Sequence, residues 1–190
     1  MKNLIVFMLV ALCFACGAGG GSSKVEIKAG GKNISLEVKS SGTSNSVKTF
    51  TDSAGKITTA TAMSVFIANF DVDTTNAGTM RKPLTSADQV RLSVQLIGQE
   101  GTDQNSEFKP GIYKADPKEK FMKVDSLIVT TSADGKDVNT NFDTMFSGSK
   151  ITGQVEVKSV TADAINGTID ITDGDKSVKG AFSARVAAKK

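Results

Sequence analysis

Residues 151–186 read ITGQVEVKSVTADAINGTIDITDGDKSVKGAFSARV, and one phrase recurs in them three times: apolar, any, Gly, any, apolar, any, apolar, starting at Ile151, Ile165 and Val178. A period of two puts successive side chains on opposite faces of an extended strand. Ile151, Gly153, Val155 and Val157 therefore share one face, and Thr152, Gln154, Glu156 and Lys158 the other. The joining segments SVTADA and TDGDKS are hairpin-length, too short for the crossover of about a dozen residues that parallel neighbours need. The pattern predicts a three-stranded antiparallel meander. Phase puts Gly153, Gly167 and Gly180 on the apolar side, where glycine weakens a strand but permits close approach. The three are expected where the sheet curves over a bulky neighbour or toward closure.

The same period runs upstream in segments rich in Val, Ile and Thr. Ile34, Leu36 and Val38 alternate with Ser35, Glu37 and Lys39, and Val90, Leu92, Val94 and Leu96 alternate with Arg91, Ser93 and Gln95. TAMSVFIANF at 61–70 and DSLIVT at 125–130 are apolar on both faces, so these strands should be covered on both sides. Upstream of the meander, strands are thus expected near 25–28, 32–39, 46–51, 56–70, 89–98, 108–114 and 121–130, which brings the total to about nine or ten. The expected fold is all-β: an antiparallel sandwich or a flattened barrel, since either hides sheet edges and gives each strand a buried face. Phe108-Lys109-Pro110-Gly111-Ile112-Tyr113 reads as a Pro-Gly turn entering a strand that holds the single tyrosine.

The N-terminus is of another kind. Residues 4–15, LIVFMLVALCFA, are uninterruptedly apolar behind Lys2, and as a helix they are too short for a bilayer core of roughly 30 Å. That length suits a signal-peptide core. Ala15 supplies a small residue before Cys16, Gly17 follows it, and the run to Ser23 is Gly- and Ser-rich. The arrangement resembles a bacterial lipoprotein signal peptide, which is cut before a cysteine that then receives a diacylglycerol. The resemblance implies that residues 1–15 are removed and that Cys16 is lipidated; composition makes 16–23 a flexible tether, and length and period make 24–190 a single β domain. It implies a lipid-anchored place in the cell envelope. Gly17, standing where inner-membrane retention is associated with aspartate, favours the outer membrane. The β domain in turn resembles the small β-rich domains of envelope lipoproteins, including calycin-like barrels. Cys13 and Cys16 are the chain's two cysteines, so their CxxC spacing has no further Cys or His with which to build a metal site, and the β domain has no disulfide.

The chain has no histidine, and its 23 basic and 20 acidic side chains are interspersed. Histidine-dependent acid-base, nucleophilic and metal chemistry is excluded on that ground. Nothing resembles a basic stripe interleaved with aromatics, so nucleic acid is not an expected partner, and no cofactor is expected. Asp170, Asp173 and Asp175 offer hard oxygen ligands around TDGD, but without EF-hand spacing, and Asp173-Gly174 suits a hairpin turn better than calcium. Residues 71–89 form a long stretch without strand period in which Met80, Arg81 and Leu84 could touch an amphipathic ligand. Phe142, Met145 and Phe146 have one-turn helical spacing and could plug the core or, at Phe142 and Phe146, line a pocket. Asn33 and Asn166 head acceptor patterns for N-glycosylation, which a bacterial-type signal makes coincidental.

These readings converge on a lipid-anchored envelope module that binds or supports without catalysis, its protein or small-molecule partner unspecified. One alternative is a lipocalin-like carrier of a small apolar ligand, with Phe66, Phe70, Val94 and Phe182 lining a cavity. The other is a carboxylate-based hydrolase, which needs two acids facing each other across a cleft.

Overall fold

The computed structural model describes residues 23–73, 79–146 and 148–186. Cys16 and the segment read as a signal peptide lie outside them. The described residues contain no α-helix. Their strands are β1 (Lys24–Ala29), β2 (Lys32–Glu37), β3 (Ser40–Thr51), β4 (Ile57–Ala68), β5 (Val90–Ile97), β6 (Gly111–Lys114), β7 (Lys123–Ala133), β8 (Lys136–Asn141), β9 (Ile151–Val160), β10 (Ala164–Asp173) and β11 (Lys176–Arg185). A short 3-10 turn, Thr79–Arg81, lies between β4 and β5.

All eleven strands belong to one sheet, in the order β2-β1-β11-β10-β9-β6-β7-β5-β4-β3, with β8 pairing β7 off this path. The two ends of that order, β2 and β3, are consecutive in the chain and joined only by Val38 and Lys39. A link that short spans at most roughly 11 Å from the last residue of β2 to the first of β3. The sheet must therefore curl until its ends approach each other, which makes it a half-barrel. The expected meander is present as β9-β10-β11, and Asp173↔Lys176 closes its second hairpin around a two-residue turn.

Two features depart from the sequence reading. The sheet is mixed, not wholly antiparallel: β6 and β7 meet through one parallel bridge, Lys114↔Lys123. Residues 115–122 double back between them, ending at Met122 with φ 49°, whose carbonyl accepts the Lys114 amide. The second departure is that β3 is twelve residues long and β8 exists at all. Both edge strands carry mostly polar side chains, so no apolar alternation marks them.

Side chains from nearly every strand fill the half-barrel interior. Val25, Leu36, Leu92, Tyr113, Leu127 and Ile171 are fully buried in one contiguous core. Each such side chain contributes roughly 1.5–3 kcal/mol by leaving water. Tyr113 stacks on Phe108 at 5.1 Å between ring centroids, and its hydroxyl donates to the Lys109 carbonyl at 2.6 Å. Burial raises the Tyr113 hydroxyl above the ordinary tyrosine range, so it remains a donor.

The three glycines serve close approach in two ways. A methyl group at Gly167 would fall 2.2 Å from the Glu156 carbonyl oxygen and 2.9 Å from the Phe182 ring, so this glycine admits both the adjacent backbone and the large side chain to which it is paired. At Gly153, with φ 104°, a methyl group would fall 2.0 Å from the Asp170 carbonyl oxygen, and at Gly180 one would fall 2.3 Å from that of Lys24. There the sheet's own backbone presses in. Gly153 is also exposed, which corrects the expectation that all three are buried against the core.

The outer wall is covered unevenly. β4 is apolar on both faces: Met63, Val65 and Ile67 face the core, whereas Phe66 and Ala68 face outward beneath Val72 and Met80 of the segment that follows. Met80 and Leu84 from that segment are buried, the Leu84 amide donates to Asp137 at 2.8 Å, and Arg91 donates to the Lys82 carbonyl at 2.7 Å. Further along the same wall a satellite cluster joins Ala60, Ala62 and Ile97 to Phe50 and Phe121. Lys48 reaches over it to hold both Asp125 oxygens at 2.6 and 2.7 Å. Lys123 stands 4.0 Å from the same carboxylate, and burial lowers its ammonium below the ordinary lysine range against the pull of Asp125.

Candidate functional site

Curling brings the second half of β11 alongside β3, but the two strands are not laddered. The Ser41 hydroxyl crosses between them to donate to the Ser183 carbonyl at 2.8 Å. Below this contact the seam stays open as a cleft of about 500 Å³. Met63 of β4 and Phe108 of the loop before β6 form its buried apolar floor, and Val160 and Val186 its half-buried walls. Asn45 and Lys109 stand at the rim, the latter paired with Glu107 at 3.2 Å.

Each wall follows from local sequence. Asn45 and Met63 are opposed across the β3–β4 ladder, so both point inward. Val160 ends β9, and the β9–β10 turn is tied off by the Thr161 amide donating to the Ala164 carbonyl at 2.8 Å. Phe108 is fixed by its stack on Tyr113. An apolar floor with a few polar rim groups suits a small apolar or amphipathic molecule. Sequence reasoning did not find this site, because it is assembled from residues far apart in the chain and depends on how the sheet closes. The one local signal was the Pro-Gly turn that positions Phe108 and Tyr113.

The structure separates the residues singled out from the sequence. Met80, Arg81 and Leu84 lie together on the outer wall, where Met80 and Leu84 are buried and the Arg81 guanidinium lies 6.0 Å from the Phe66 ring centroid. Phe142 is buried in the main core with its amide on the Leu127 carbonyl at 3.0 Å, whereas Phe146 is 74% exposed. Phe142, Met145 and Phe146 border a shallower opening of about 370 Å³ and form no helix. Of the residues assigned to a carrier cavity, Val94 and Phe182 line the interior, but Phe66 and Phe70 lie under the outer loop. The period-two phase of β4 explains the difference.

Asp170, Asp173 and Asp175 do not share a site. Asp170 is exposed and pairs with Lys179 at 3.0 Å, and Asp175 is exposed in the hairpin turn. Asp173 is buried, accepting from Lys176 at 2.6 Å and from the Asp143 amide at 2.9 Å. Burial pushes the Asp173 carboxyl up, but the Lys176 hydrogen bond, the Asp143 amide and the Lys176 charge together outweigh it and hold it below the usual carboxylate range. Among the described residues no three acidic, Cys or His side chains converge on a common point. Asp125 and Asp173 are the buried carboxylates there, and each is engaged by a lysine.

The fold and this cleft define a class: an all-β half-barrel with an apolar opening at its seam. No family model, curated protein or solved structure matches the chain.

Proposed function

We propose that the protein is a lipid-anchored envelope module that binds a small apolar or amphipathic molecule, without catalysis, in the seam cleft. The cleft carries the reading, because about 500 Å³ floored by Met63 and Phe108 is enough to bury a compact ligand or a single alkyl chain. A filled structural module would have no use for an apolar surface held open there. The meander's outer wall, with Gln154, Lys158, Asp170 and Lys179, presents polar groups where a membrane-spanning barrel presents apolar ones to lipid. In this reading Cys16 supplies the anchor.

Two experiments test the two halves of this reading. The mature domain should raise the fluorescence of the neutral probe N-phenyl-1-naphthylamine saturably, and Ala162→Trp at the exposed lip of the cleft should abolish the signal at unchanged Tm. Non-saturable binding, or binding indifferent to Ala162→Trp, would overturn the cleft. Separately, Cys16→Ala should release the protein from membranes and end palmitate labelling, and unchanged membrane association would overturn the anchor.

A further inference from the structure

A second opening lies on the outer side of the same seam, lined by Lys39, Ser40, Ser41, Val72 and Arg185 and with a volume of about 200 Å³. It contains two cations and no acid. Neither Lys39 nor Arg185 has an ion-pairing carboxylate among the described residues. Asp88 feels the charge of Lys39, but it is exposed and bonded to Ser86.

The opening is also built. Ser40 donates to the Phe70 carbonyl at 2.8 Å and accepts the Val72 amide at 2.9 Å, which fixes the corner where β2 passes into β3. Ser41 holds β11 against that corner through the Ser183 carbonyl.

The two openings have no lining residue in common but adjoin through consecutive residues at the end of β11. Arg185 lines the outer one and its chain neighbour Val186 the apolar cleft. On β3, Ser41 and Asn45 are four residues apart, about 13 Å along an extended strand, which is the order of length of a ten- to twelve-carbon chain. At the end of β11 a molecule can thus lay an apolar tail over Met63 and Phe108 while its head passes round the strand to Lys39 and Arg185.

We infer that the natural ligand is a single-chain amphiphile with an anionic head, carboxylate or phosphate, bound tail-in at the cleft and head-out at Lys39 and Arg185. This rests on the cleft reading and adds the ligand's charge and polarity to it.

The test uses the mature domain and four twelve-carbon ligands below their micelle-forming concentrations: dodecyl phosphate, dodecanoate, dodecanol and dodecyltrimethylammonium, each displacing N-phenyl-1-naphthylamine. Both anions should bind at least roughly tenfold tighter than dodecanol, and the cation weakest. Their mutual ranking tells phosphate from carboxylate. In the Lys39→Gln, Arg185→Gln double variant, both at exposed positions, the anions should fall to the affinity of dodecanol while dodecanol itself is unchanged. Equal binding of anion and cation, or a preference that survives the double variant, would overturn the head-group assignment while leaving the cleft intact. If no ligand displaces the probe and the probe itself does not bind, the cleft reading fails instead.

Discussion

The half-barrel wall is one layer thick along β9, β10 and β11 and two layers thick along β4, β5 and β7. In the thin half, every second residue faces water: Lys158, Asp170 and Lys179 are exposed while Val157, Ile169 and Val178 are buried. In the thick half, β4 is buried on both faces from Ala60 to Ala68 and needs cover from outside, supplied by Met80 at one end and by Phe50 and Phe121 at the other, while Leu84 is buried beside β8. The thin half is held by strand-to-strand contact within the sheet, and the thick half by segments that return to it from a distance. The seam opens where β3, the edge of the thick half, meets β11, the edge of the thin one.

The sharpest way to break the thin half is to push its strands apart. Gly153→Ala places a methyl group against the Asp170 carbonyl at a φ that side chains rarely adopt, and the neighbouring atom is backbone that cannot rotate away. We expect a loss of about 3–5 kcal/mol in chemical denaturation, or no folded protein. Gly31→Ala serves as the control. It has φ 73° but nothing within 4 Å, so it should cost only about 1 kcal/mol. Equal losses would mean that backbone conformation and not strand approach sets the cost.

The thick half should break through its cover. Leu84→Ala removes a side chain that is only 4% exposed and anchored by its own amide on Asp137, and should cost about 2–4 kcal/mol. Lys158→Ala, on the bare face of β9, should stay within about 0.5 kcal/mol. If Leu84→Ala changes the denaturation midpoint no more than Lys158→Ala does, residues 79–89 do not cover the wall in solution.

These contrasts also explain what could be read from the sequence. The thin half was legible almost to the residue, since expected strands near 151–157, 165–171 and 178–186 became Ile151–Val160, Ala164–Asp173 and Lys176–Arg185. One buried and one wet face write themselves as alternation. The two-faced character of β4 and its need for cover were legible too, but not what supplies it: Met80 sits in a stretch without period, and its burial depends on contacts with distant strands. β8, KDVNTN, left no trace because backbone pairing to β7 and not side-chain burial holds it there. The cleft was illegible for a related reason. Met63, Phe108, Val160 and Val186 meet only because a two-residue link forces the ends of the sheet together.

Where the halves meet at the β10–β11 turn, acid should loosen the contact between Asp173 and the chain after β8. The folded carboxyl titrates below its unfolded value, so its stabilisation is complete above the unfolded value of about 3.9 and is lost as pH falls through the depressed folded one. Asp173→Asn should therefore cost about 1–2 kcal/mol at neutral pH, and the gap to the parent protein should close in acid. A gap independent of pH down to that range would show that the carboxylate charge is not what Lys176 and the Asp143 amide hold.

The smallest effect belongs to the thin half's outer face, where Lys179 and Asp170 pair across β10 and β11 at 3.0 Å with side chains 56% and 69% exposed. In high dielectric the attraction is weak and is offset by the entropy of holding two long side chains in place, so Lys179→Met should change stability by less than about 0.5 kcal/mol. What remains should vanish at 1 M salt, where the screening length is about 3 Å. The distance is close to that between Lys176 and Asp173, only a few residues away, and what differs is water: Asp173 is 10% exposed and also takes a backbone amide. Comparing the two variants at low and high salt therefore isolates burial from geometry. A Lys179→Met loss as large and as salt-resistant as that of Asp173→Asn would mean that the outer face of the meander is covered in solution, as the wall at β4 is.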